Sequence, residues 1–131
     1  MKKILLALSL LLVTNSVYAE WTELGQDKDT EYYYDKSSIN LVGNIGRIWR
    51  YNNNKQANIN YKSVVALDEY DCVNKTRKIV SFSEYSEYDL KGTETQIAES
   101  LLPKAGNFVR PSSIDYFLIK MVCKQWKTTF F

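Results

Sequence analysis

The sequence contains no histidine, only two cysteines and two prolines, and five glycines in 131 residues. Without histidine the commonest general base and metal ligand is missing, which removes Ser-His-Asp and Cys-His triads and most zinc sites from consideration. Five scattered glycines build no phosphate-cradling loop, EF-hand or nucleophile elbow, so no cofactor is implied. No apolar run approaches the roughly 20 residues that a membrane-spanning helix needs. An excess of one charge is also lacking, with 17 Lys and Arg against 15 Asp and Glu. A chain this close to neutral has no global field for a phosphate backbone, and nucleic acid is not an expected partner. What is present, 45% hydrophobic and 24% charged residues, is the composition of one compact domain rather than of a disordered, collagen-like or membrane-spanning chain, and with those motifs missing no enzyme is expected.

The first residues, Met1-Lys2-Lys3, precede an apolar run from Ile4 to Val13 and the small-residue pattern Val17-Tyr18-Ala19. A positive start, a short apolar middle and small residues at the cleavage point read as a signal peptide over 1–19, with the mature domain spanning 20–131. Its removal takes away Lys2 and Lys3 and leaves 15 basic against 15 acidic residues. Glu20, and not a lipid-acceptor cysteine, stands directly after the cleavage point, so export to the periplasm or medium, or cell-surface association without a lipid anchor, is expected. Export also pairs Cys72 with Cys123, the only two thiols, in a disulfide closing a loop of about 50 residues.

Along the mature chain, clusters of Tyr, Val, Ile, Trp and Thr predict strands near 20–24, 31–35, 45–52, 61–72, 77–89 and 93–98. Turn chemistry separates them at Gly25-Gln26-Asp27, at Asp35-Lys36-Ser37-Ser38, in the Asn-rich stretch from Asn52 to Asn60, at Cys72 to Thr76 and at Leu90-Lys91-Gly92. Short links between consecutive strands favour an antiparallel meander. Alternation places Ile45, Trp49 and Tyr51 with Arg47 on one face and Ile48 on the other. In the next strand Tyr61, Val65 and Leu67 oppose Val64, Ala66, Tyr70 and Cys72. With apolar groups on both faces, one face needs a helix and the other is left for a partner or a second copy. Pro111, Ser112 or Ser113, and Asp115 open that helix, predicted from Ser113 to about Lys127 with Pro111 at the first helical position. Lys120, Lys124 and Lys127 form its polar stripe, and Ile114, Phe117, Leu118, Met121, Val122 and Cys123 its apolar face. The expected fold is α+β: a single antiparallel sheet of about six strands with a C-terminal helix packed on one face and disulfide-linked to it.

The carboxylates Glu84, Glu87, Asp89, Glu94 and Glu99 have no spacing that sets one pKa against another and read as a solvated surface. Nine tyrosines and three tryptophans follow the signal segment, and such residues are enriched at binding surfaces. Tyr32, Tyr33, Tyr34, Trp49 and Tyr51 are assigned to packing, whereas polar neighbours around Tyr85 and Tyr88 point to exposed anchors. Lys75, Arg77 and Lys78, beside Cys72, are the candidate steering charges for an acidic partner. Phe130 and Phe131 are assigned to packing or a dimer contact.

Trp21, Tyr33-Tyr34-Asp35 followed by Ser38-Ile39, Trp49, Lys62-Ser63 before Tyr70-Asp71-Cys72, and Pro111-Ser112-Ser113 opening a segment that carries Cys123 together resemble the surface-adhesin protein E family of Gram-negative bacteria. The resemblance covers essentially the whole mature chain. It implies a six-stranded antiparallel sheet with a disulfide-held C-terminal helix, a tendency to form homodimers, and adhesion to host matrix or serum proteins of the vitronectin or laminin type. It carries over neither a lipid-acceptor cysteine nor any ligand-binding residue. Beside adhesion stand two other readings: a periplasmic or secreted module for a small ligand, glycan or bacterial partner, and an enzyme inhibitor.

Overall fold

The computed structural model describes residues 19–56 and 59–126. The expected signal peptide therefore falls, but for Ala19, outside the described residues, as do Lys127, Phe130 and Phe131. The described chain forms β1 (Trp21–Gln26), β2 (Thr30–Asp35), β3 (Asn40–Val42), β4 (Ile45–Asn54), β5 (Ser63–Asp71), β6 (Thr76–Tyr85), β7 (Glu94–Gln96), β8 (Asn107–Phe108) and α1 (Ile114–Val122). The strands make one antiparallel sheet in the order β1-β2-β4-β5-β6-β7. β2 pairs with Arg50 to Asn54 of β4, and β3 with Ile45 to Arg47 of the same strand. β7 and β8 divide β6 in the same way. The sheet is thus six strands wide with α1 on one face, as the α+β reading expects.

The helix seats on alternate residues of the central strands. Ile48, Tyr70, Cys72, Leu118, Ile119, Val122 and Cys123 form the buried core, with Leu24, Tyr34, Leu41 and Ile114 packed against it. The face predicted from Val64, Ala66, Tyr70 and Cys72 is the buried one. A Cβ on Gly46 would overlap Val122 Cγ1, so β4 meets the helix with nothing between backbone and side chain. At the end of α1 the Cys72–Cys123 disulfide ties the helix to the sheet, with Cα atoms 5.9 Å apart. On the opposite face Tyr33 stacks on Tyr51 at 4.4 Å and Trp21 meets Tyr51 edge-on at 4.7 Å.

Several boundaries differ from the sequence reading, each for a local reason. β1 continues through Gly25 and Gln26 by slipping one register position after Glu23, and the turn forms at Asp27 instead, whose Oδ1 accepts from the Asp29 and Thr30 amides at 2.9 Å. Asn52 to Asn54 belong to β4 and not to a loop, because Asn53 is buried and clamps Asp89 through two hydrogen bonds. That clamp also ends β6 at Tyr85, since Asp89 and Leu90 take left-handed φ angles of 58° and 60°. Pro111 lies before the helix in a turn closed by the Ser113 amide donating to the Arg110 carbonyl at 3.3 Å, with Ser112 at φ 68°. Ser113 is the N-cap, accepting from the Tyr116 amide at 3.1 Å. The helix is shorter than predicted because Cys123 is already its C-cap. Ile119 is buried and Phe117 is 49% exposed, a rotation of the apolar stripe relative to the predicted one.

Candidate functional site

The core face of the sheet is not wholly apolar. Arg50 of β4 and Asp68 of β5 occupy inward positions one step apart in the register, and both are buried. Alternation forces their side chains under the helix, where a lone charge is intolerable and a pair is not. Arg50 Nε donates to Asp68 Oδ2. Arg77 of β6 reaches the same carboxylate oxygen at 3.7 Å and, through the same nitrogen, Asp115 Oδ1 at 3.4 Å. Tyr70, fully buried, donates its hydroxyl to Asp115 Oδ1 at 3.1 Å. Burial pushes the Asp68 carboxyl above its ordinary range against the pull of Arg50 and Arg77. Burial also works against the Arg50 cation, but the Asp68 charge outweighs it and raises its pKa. Above this network a cleft of about 290 Å³ opens between the sheet and the first turn of α1, walled by Tyr32, Arg50, Asn52, Arg77, Ile114 and Asp115.

The structure spreads the five predicted contact residues over both faces and both ends of β6. Arg77 points toward the helix and spends its charge on Asp68 and Asp115. Lys78 points to the other face, 3.5 Å from Glu69. Lys75 holds a left-handed position (φ 57°) in the β5–β6 turn. Tyr85 lies opposite Ser63, about 23 Å along the strand from Lys78 at ~3.3 Å per residue. Tyr88, 43% exposed, has the Lys62 ammonium 5.5 Å from its ring centre. Lys62 also pairs with Glu87 at 3.2 Å. Tyr85 and Tyr88 thus flank one turn together with Lys62, while the three predicted basic residues do not converge. That turn is fixed from below: Ser63 Oγ donates to the Glu87 carbonyl at 2.6 Å and accepts from the Leu90 amide at 3.0 Å. Sequence reasoning missed Lys62 and the Arg50–Asp68–Arg77–Asp115 network. Polar residues at the inward positions of β4 and β5 were the signal for the latter.

Among the described residues no cluster of His, Cys, Asp and Glu fits a metal ion, and no helix is long and apolar enough to cross a membrane. No curated protein matches the sequence significantly. Solved structures of Haemophilus influenzae protein E share the fold. Crystal form II superimposes with a TM-score of 0.62 at 18% identity, covering 84% of this chain and 91% of that one. The selenomethionine form gives 0.60 at 17%, covering 84% and 90%. The protein from a non-typeable strain gives 0.57 at 18%, covering 84% and 79%. The sequence model of the family described as surface-adhesin protein E matches residues 21–124, from the first strand to just past the helix-bound cysteine, and the chain belongs to that family.

Proposed function

We propose that the protein is an exported, non-enzymatic adhesin that binds a host matrix or serum protein of the vitronectin or laminin type. Membership of the surface-adhesin protein E family across the whole described domain carries this reading. The turn bearing Tyr85, Tyr88 and Lys62 is the proposed contact surface. Its aromatics are large, and the Ser63 and Asn53 hydrogen bonds hold the turn in shape before binding, which lowers the ordering cost of association. Lys75 and Lys78 act from outside this turn as steering charges. Arg77, the third basic residue of the segment, is a structural member of the buried network. Self-association belongs to the same proposal, through the face opposite α1 where Trp49, Val65 and Leu67 are half-buried. Surface plasmon resonance of the purified protein on immobilised vitronectin and laminin, with protease shaving of intact cells, tests the reading. Saturable binding by a shaveable protein is expected; absence of binding to both ligands, or protection from protease, overturns it.

A further inference from the structure

Arg77 is an arginine with unspent hydrogen-bonding capacity. Its side chain is only 23% exposed, yet among the described residues its guanidinium makes two ion pairs through one nitrogen and no hydrogen bond. Buried and half-buried polar groups normally find partners. Beneath it the fully buried Asp68 Oδ1 has no hydrogen-bond partner among the described residues, so the network as folded is incompletely satisfied. Asp115 uses Oδ1 for Tyr70 and Arg77, and its Oδ2 accepts no hydrogen bond from the described residues, although this carboxylate walls the same cleft. The cleft therefore presents a free donor edge and a free acceptor within one small cavity, with the Tyr32 ring and Ile114 as apolar walls.

We propose that this cleft binds a small zwitterion of the α-amino-acid type, its carboxylate on Arg77 and its ammonium on Asp115. The planar guanidinium edge matches a carboxylate in two parallel hydrogen bonds, which a lysine in its place does not. Arg50, Arg77, Asp68 and Asp115 sum to zero formal charge, so a simple anion or cation gains nothing from the site as a whole. A zwitterion instead sets each pole against its opposite. The cavity, at about 290 Å³, lies at the small end of ligand sites and leaves room for a short side chain between Tyr32 and Ile114.

The test is nitrogen-resolved NMR of the purified protein, read at the Arg77 Nε–H and the Ile114 and Asp115 amides, during titration with L-alanine, sodium acetate and propylamine. L-Alanine should shift these signals saturably, and acetate and propylamine should bind about tenfold more weakly or less. Arg77→Lys should weaken L-alanine about tenfold, the loss of one charge-assisted hydrogen bond. Asp115→Asn, which keeps an oxygen to accept from the Tyr70 hydroxyl, should reduce L-alanine to the level of acetate without weakening acetate. No saturable shift with L-alanine overturns the proposal. Acetate binding as tightly as L-alanine, or Asp115→Asn leaving L-alanine binding intact in a protein with a native spectrum, overturns it too.

Discussion

Asp71 organises the β5–β6 turn with a single carboxylate. Its Oδ1 accepts from the Val73 and Asn74 amides at 2.9 and 3.0 Å and from Asn44 Nδ2 at 3.2 Å, and its Oδ2 accepts from Asn74 Nδ2 at 2.9 Å. Partial burial raises its pKa, but these hydrogen bonds to the charged form outweigh it and hold the group below its ordinary 3.8. The folded pKa lies below the unfolded one, so the stabilisation is complete above about pH 4 and is lost as pH falls through the folded value. Asp71→Ala should therefore lower stability by about 1–3 kcal/mol at neutral pH in urea unfolding. The deficit relative to wild type should shrink below pH 4. Asp68 works in the opposite sense: its raised pKa means that protonation on acidification favours the folded state. The Asp71 turn was legible in the sequence as turn chemistry around Cys72. The ladder of charges from Arg50 to Asp115 was not, because Arg50, Asp68, Arg77 and Asp115 belong to four separate elements, and only the register of the sheet and the seating of α1 on it bring them together.

At the scale of elements, α1 has nine residues, too few for a helix that is stable alone in water. Its persistence rests on burying Leu118, Ile119 and Val122 against the sheet and on the covalent tie to Cys72, which in the chain-entropy account contributes about 4 kcal/mol. Close seating also requires Gly46, since a methyl there would collide with the stiff, buried side chain of Val122. Gly46→Ala should cost about 1–3 kcal/mol, measured as a lower midpoint of denaturant unfolding with the disulfide retained. A wild-type midpoint would show that the helix can lift without penalty. The sequence disclosed this helix and its fastening because amphipathic spacing, a serine cap and the cysteine count are local signals. It did not disclose β3 and β8. Strands of three and two residues hold no hydrophobic period, and their existence depends on the neighbouring strand leaving a partner stretch open. The end of β6 was equally hidden, because Asp89 is pulled into a left-handed conformation by Asn53, 36 residues away.

At the scale of the whole molecule, the chain carries 17 basic and 15 acidic residues, and 15 of each on the proposed exported reading that removes Lys2 and Lys3, so no long-range field gathers a partner. On the proposed adhesin reading, affinity for a host protein comes from a local surface, with the steering Lys78 near one end of β6 and the anchoring Tyr85, followed by Tyr88 in the next turn, at the other. Charges at an interface rim act on the association rate and are screened over about 8 Å at physiological ionic strength, whereas a buried aromatic acts on dissociation. Lys75→Glu with Lys78→Glu should slow association with vitronectin or laminin and flatten its salt dependence while leaving thermal stability within a few degrees. Tyr88→Ala should instead speed dissociation by about tenfold, the loss of one anchoring aromatic, with association unchanged. Arg77→Glu, by contrast, places a third carboxylate beside Asp68 and Asp115 and should unfold the protein without revealing anything about adhesion. Kinetic binding measurements across a salt series separate these outcomes. Equal dissociation rates for wild type and Tyr88→Ala would move the contact surface away from this turn, and a salt-independent association rate in wild type would remove the lysines from the encounter.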